Sequence, residues 1–222
     1  MTRWMPVISA ALLLVWSPAA LAQEWEEFLS PEERFTCNFP GKPVITETTW
    51  TSQFGAVLPA RVYSGTSGAG KFSITVVDYN PIQRLLSERS MSCTPGAETC
   101  QGIHDWGLGY WKNDVRGAVV YAANMFTHRD AKLENMMANF ADLVAGEELQ
   151  LTNNKDQSRT FASIYMHANR LIILEATVPK NYPPPTIFQQ SLGWLDENGA
   201  RIRYNNINHN EPDLPAPGIR GR

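Results

Sequence analysis

Apolar and polar positions alternate with a period of two through segments 34–39, 44–51, 59–64 and 71–78, which are rich in β-branched and aromatic residues. Turn clusters separate them: Pro40-Gly41-Lys42-Pro43, Gly55, and a glycine-rich run from 65 to 70. These four segments predict strands. Pro81 then opens a short predicted helix over 82–88, placed where its missing N–H costs nothing. Over 113–128 the period changes: Val115, Ala118, Val119, Ala122, Ala123 and Phe126 fall at helical spacing, with Asn113 or Asp114 as N-cap. A helix is expected there, with a strand as the rival reading. Segments 133–143 and 147–152 read as strands parted by Ala145-Gly146, and 160–167 with 171–178 as a hairpin around Ala168-Asn169-Arg170. Pro183-Pro184-Pro185 stops that hairpin. Thr186 then caps a last helix, with Ile187, Leu192 and Leu195 directed inward before Gly199 ends it.

Short connections between strands favour antiparallel pairing, because parallel neighbours need long crossovers. The expected fold class is α+β: a mainly antiparallel twisted sheet with two or three helices packed on it. The chain divides into a leader over 1–22, a single α+β domain over 23–204 and a tail over 205–222. That tail is polar, rich in proline and has little to bury, so disorder is expected there.

The leader changes the picture most. Arg3 precedes an apolar run over 7–20 that ends in Ala20-Leu21-Ala22, the small-x-small pattern of a cleaved secretory signal peptide. A retained signal anchor is the competing reading. Against it, Ser17-Pro18 interrupts a run already shorter than the ~17–25 residues a spanning helix needs. The expectation is a bacterial protein that is periplasmic or secreted, with no transmembrane segment in its mature chain.

In such a compartment Cys93 and Cys100, bracketing a Pro95-Gly96 turn, are expected to form a disulfide. The ring would staple the irregular stretch over 90–109 and add roughly 2–3 kcal/mol. A metal site is the weaker alternative, since it needs more soft ligands than these two. Cys37 alternates with Phe35 and Phe39 and is expected in the core as a small hydrophobe, with no histidine near it in sequence to activate it.

Composition narrows function by exclusion. The 222 residues are 43% hydrophobic and 18% charged, with 15 Gly and 15 Pro, so the chain is neither collagen-like nor wholly disordered. Lys and Arg number 19 against 22 Asp and Glu, which leaves no basic field for nucleic acid.

Phe35-x-Cys37-x-Phe39-Pro40-Gly41-x-Pro43, then Tyr63 and the run from Ser73 to Tyr79, resembles the opening of the PsbP/Mog1-like α/β/α sandwich. That group includes photosystem accessory proteins and small periplasmic lipoproteins. The stretch from Tyr165-Met166-His167 to Ser191-Leu192-Gly193-Trp194-Leu195-Asp196 is also similar to a family of alphaproteobacterial secreted proteins. The resemblance spans about residues 30–204 and implies a fold. The group shares no catalytic residues, so it implies none for this chain.

Catalytic motifs fail on inspection. Gly65-Thr66-Ser67-Gly68-Ala69-Gly70-Lys71 matches a phosphate-binding loop until Phe72, where Ser or Thr must ligate magnesium. It reads as a hairpin loop. No Gly-x-Ser-x-Gly elbow occurs. His104, His128, His167 and His209 stand singly, so no metal cluster is evident and no cofactor is expected. His128 would close a helix, while His167, near a hairpin turn, would be exposed. Glu24/Glu26/Glu27, Glu147-Glu148 and Asp196-Glu197 read as solvated surface rather than an acid–base pair.

One segment resists the bland account. His104-Asp105-Trp106-Gly107-Leu108-Gly109-Tyr110-Trp111 sets three large aromatics among glycines. Trp106, Tyr110 and Trp111 either fold down as lids on the sheet or form a binding surface. The leading expectation is a non-enzymatic accessory or binding domain for a protein or other envelope component. The alternatives are a hydrolase of an envelope substrate using His104 and Asp105, and a small-ligand carrier.

Overall fold

The computed structural model describes residues 25–91 and 111–208. Eleven strands and three helices are seen among them, in the order β1 (Trp25–Ser30), β2 (Phe35–Pro40), β3 (Val44–Thr51), β4 (Val57–Ser67), β5 (Gly70–Asp78), α1 (Ile82–Met91), α2 (Trp111–Thr127), β6 (Ala131–Ala141), β7 (Val144–Asn153), β8 (Arg159–His167), β9 (Arg170–Val178), α3 (Thr186–Gln189), β10 (Gly193–Leu195) and β11 (Arg201–Ile202).

A seven-stranded sheet, ordered β3-β4-β5-β9-β8-β7-β6, forms the centre. Its strand pairs are all antiparallel. Side chains on a strand alternate between the two faces of a sheet, and here each face has its own core. Leu171 and Ile173 on β9 join Leu149, Ala162, Ile164 and Met166 beneath α1 and α2. Ile172, Leu174 and Ala176 point the other way, toward Phe35, Cys37, Phe39, Phe188 and Trp194. Strands β8 and β9 are covered on both faces, which is why their sequence runs almost continuously apolar instead of alternating cleanly.

The helix reading of 113–128 holds. Val115, Ala118, Ala122 and Phe126 form one buried stripe of α2, and the alanines let the helix approach the sheet closely. Ser67 pairs with Gly70 across a tight β4–β5 hairpin, so the glycine-rich run turns two strands and leads into no helix. Cys37 is a buried free cysteine, as its alternation with two phenylalanines implied. Its thiol lies 3.4 Å from the Phe188 carbonyl and 3.2 Å from Ser191 Oγ, and burial pushes its pKa above the usual thiol range to about 12.

Two expectations need correction. The sheet does carry helices, but α1 and α2 cover one face only. The other face is covered mainly by a second antiparallel sheet, β1-β2-β10-β11, with the single turn of α3. Strand β1 supplies part of that cover and was hidden by its consecutive glutamates. Among the described residues it pairs with β2 alone; Glu26 and Glu27 are exposed, and Glu27 accepts a hydrogen bond from Thr36 Oγ1 at 2.8 Å.

The expected last helix is also mostly absent. After Gln189 the chain extends into β10, where Gly193 pairs with Thr36 and Trp194 with Phe35. Ile187, expected inside, is 54% exposed, whereas Leu192 and Leu195 are buried. Gly193 explains the switch: a Cβ there would press on the Thr36 methyl at 2.9 Å, so only glycine lets the chain lie this close to β2.

The leader (1–22), Cys93, Cys100, His104, Asp105, Trp106, Tyr110, His209 and most of the expected tail lie outside the described residues. Among the described residues no helix is long and apolar enough to cross a membrane.

Candidate functional site

The small sheet is narrower than the sheet it covers, and among the described residues it leaves part of β6, β7 and β8 uncovered beyond Trp194, whose indole N–H donates to the Ala141 carbonyl. Register builds a polar floor there. Asn139, Gly146 and Tyr165 form one cross-strand row, with Met137, Glu148 and Ser163 in the next. Asn135, Gln150 and Phe161 make a third. Residues two apart on a strand share a face, so Asn139, Glu148, Gln150 and Tyr165 all point to the same side.

That side opens into a cleft of about 370 Å³, walled by Thr186, Gln189 and Gln190 of the α3 turn and by Phe140, Phe161 and Leu192. Its volume lies at the lower end of the ~300–1,000 Å³ typical of small-molecule sites. Asn139 Nδ2 donates to Glu148 Oε2 at 2.9 Å and to the Tyr165 hydroxyl at 3.1 Å. Gln150 Nε2 donates to Glu148 Oε1 at 3.1 Å. The carboxylate is therefore gripped by an amide on each oxygen. Gln189 Nε2 reaches Ser163 Oγ at 3.3 Å and ties the wall to the floor.

Burial, assisted by the nearby Glu148 charge, pushes the Tyr165 phenol up to about 12 against the opposing hydrogen bond from Ser163. It stays protonated and keeps an O–H to donate. The ring can sit low because Gly146 faces it: a Cβ there would collide with the Ile164 carbonyl and the Tyr165 ring. Asp142, at the β6–β7 turn with φ +46°, lines the mouth and accepts from Arg203 at 3.3 Å. Glu148 and Asp142 are the only charged residues lining the cleft among those described, and both are acidic.

Of the aromatic trio expected to bind, only Trp111 is described. It opens α2, is half-buried against the helix-side core, and has the Lys112 ammonium 5.6 Å from its ring centre. The cleft residues were not anticipated. Glu147-Glu148 read as solvated surface, Tyr165 stood out only as part of a hairpin, and Thr186 and Leu192 only as parts of the last helix. Mid-strand amides carry no sequence signature, and the register that gathers them is a property of three strands together.

His167 corrects another expectation. It is 2% exposed, stacked on Trp194 at 4.4 Å, with Nε2 hydrogen-bonded to the Tyr204 hydroxyl at 2.8 Å. Burial, together with the Arg34 and Arg170 charges, pulls its pKa down to about 4. His128 closes α2 as expected, with Nδ1 2.8 Å from the Asn124 carbonyl.

Two further polar clusters are structural in character. Glu33 bridges Arg61 at 3.0 Å and Arg170 at 3.2 Å, clamping the β1–β2 turn onto the main sheet. Asp114 is fully buried near the start of α2 and accepts from Ser52 Oγ at 2.5 Å. Burial raises its pKa. No group of three or more His, Cys, Asp or Glu side chains suited to a metal is found among the described residues.

No protein-family model matches the chain, and no curated protein matches it. Among solved structures it is similar to the cyanobacterial PsbP of Synechocystis, at 13% identity over 82% of this chain and 98% of that one, with a TM-score of 0.42.

Proposed function

We propose that this chain is a non-enzymatic binding or accessory domain for an envelope component, acting in the periplasm or outside the cell, and that the cleft over β6–β8 is its binding face. The location rests on the leader-like residues 1–22. The finer family reading, a PsbP-like domain of an alphaproteobacterial secreted family, rests on the motifs around Phe35–Pro40 and Ser191–Asp196.

The observation that carries the binding reading is the composition of the cleft. Its donors are amides and hydroxyls, its Glu148 carboxylate is oriented by Asn139 and Gln150 with acceptor positions left over, and Asp142, the other carboxylate lining it, is paired with Arg203. A hydrolytic site sets its base beside a nucleophile or a second free acid–base group within reach of a scissile bond. A carrier would enclose its ligand among apolar walls, whereas this cleft is open and polar.

Capture from envelope extract tests the reading, with wild type compared against Gln189→Ala combined with Gln190→Ala. Both residues line the cleft and neither is buried, so folding should survive their loss. A component retained by wild type and lost by the double variant supports the cleft as the binding face. Identical retention by both proteins rejects it.

A further inference from the structure

We propose that the β6–β8 cleft recognises a neutral saccharide; the inference deepens the binding reading above and rests on it. A sugar offers hydroxyls that both donate and accept, set around a ring whose C–H faces are apolar. The cleft presents the complement of each. Glu148 takes one amide hydrogen bond on each oxygen. A carboxylate has about four acceptor positions, so roughly two remain, one per oxygen, spaced to receive a pair of neighbouring hydroxyls. Gln189 and Gln190 on the facing wall supply amide donors and acceptors. The Tyr165 O–H, kept protonated at neutral pH, supplies another donor at the floor. Phe161 and Leu192, which also line the cleft, offer apolar surface to a C–H face.

Charge decides against the main competitors. No Lys, Arg or His lines the cleft among the described residues, while Glu148 and Asp142 do. A phosphate or carboxylate ligand would be held next to the Glu148 charge, while Arg203 at the mouth is already paired with Asp142. A protonated amine would be attracted, but it would leave the amide-rich wall unpaired, and buried polar groups left unpaired on binding cost affinity.

The test is titration of the full chain, observed through backbone amide shifts, with maltotriose, cellotriose and chitotriose, and with glucose 6-phosphate and cadaverine as charged probes. At least one neutral trisaccharide should bind saturably with a dissociation constant on the order of 1 mM. Its shifts should fall within residues 137–150, 161–165 and 186–192. Glu148→Gln should weaken that binding at least tenfold. Gln189→Ala, on the wall rather than the floor, should weaken it severalfold and serves if the first variant is misfolded. Val120→Ser, on the exposed face of α2, should change nothing.

Absence of saturable binding by all three trisaccharides overturns the proposal. So does tighter binding of glucose 6-phosphate or cadaverine than of any of them, or binding unchanged in both cleft variants. Loss of an envelope component in the Gln189/Gln190 double variant, without saccharide binding, would remove the sugar and leave the binding face standing. If neither is seen, both readings fall.

Discussion

Acid should unfold this protein through His167 over a defined pH window. In the unfolded chain its imidazole takes a proton near pH 6.5, whereas in the fold it stays neutral until about pH 4. The unfolded state therefore binds more protons between those values, and stability falls as pH drops through them. Above pH 6.5 the group imposes no such penalty. A shift from 6.5 to about 4, at about 1.4 kcal/mol per pH unit, sets the full loss at roughly 3 kcal/mol, with about 2–3 kcal/mol already lost at pH 4.5. That is a large part of the ~5–15 kcal/mol that holds a domain together. The comparison protein is His167→Phe, which keeps an aromatic ring against Trp194 and cannot titrate. It leaves the Tyr204 hydroxyl without its partner, a pH-independent cost of about 1 kcal/mol. Urea unfolding of both proteins at pH 7 and pH 4.5 cancels the carboxylates they share. Wild type should lose about 2–3 kcal/mol relative to the variant between the two conditions. A gap that stays constant with pH would show that His167 is not held neutral by its surroundings, and the account of this corner of the fold would fail.

Asp114 should show the opposite sign. Burial raises its pKa, so its contribution is intact below the unfolded value of 3.8 and is lost as pH rises through the folded one. Asp114→Asn should therefore gain on wild type in urea midpoint from pH 3.5 to pH 7, and a gap that closes instead would contradict this. Gly146→Ala should destabilise by about 1–3 kcal/mol by driving a methyl into the Tyr165 ring and the Ile164 carbonyl, as read by thermal unfolding. Its amide shift changes should centre on the cleft. Glu33→Gln should cost about 2 kcal/mol by chemical denaturation, less than a fully buried pair because Arg61 keeps 30% of its side chain exposed. A cost near zero would mean that the Arg61–Glu33–Arg170 bridge does not clamp the β1–β2 turn.

The parts of the fold that were legible in sequence are those in which one short-range pattern decides. Alanines and valines every three or four residues made α2 readable, and Ala168-Asn169-Arg170 between two apolar runs made the β8–β9 hairpin readable. Both α2 and that hairpin are seen. The parts that were hidden depend on partners far along the chain. Ile187 to Leu195 carries enough apolar residues for a helix, yet Gly193 and Trp194 are claimed by β2, about 160 residues earlier, and strand pairing wins. His167 looked exposed because it adjoins a turn. It is buried because Trp194 and Tyr204 arrive from the C-terminal end to cover it.

The same long-range dependence locates the cleft. Seven strands present a face wider than four short ones can cover, and the cover is anchored by Phe35, Phe39 and Trp194 over the middle of the sheet. Among the described residues, what remains open lies toward the β6 edge, and a face left open to water must carry polar side chains or become an aggregation surface. Asn139, Glu148 and Gln150 occupy that face. Surface polarity alone would be met by mobile lysines or glutamates scattered along the strands. Here the three are instead locked to one another and to Tyr165 by hydrogen bonds of 2.9–3.1 Å. Fixing such side chains costs conformational entropy that a solvated strand face has no need to spend. A ligand that meets them already oriented avoids that cost on binding, and this is the physical reason to look for function at the β6 edge of the sheet.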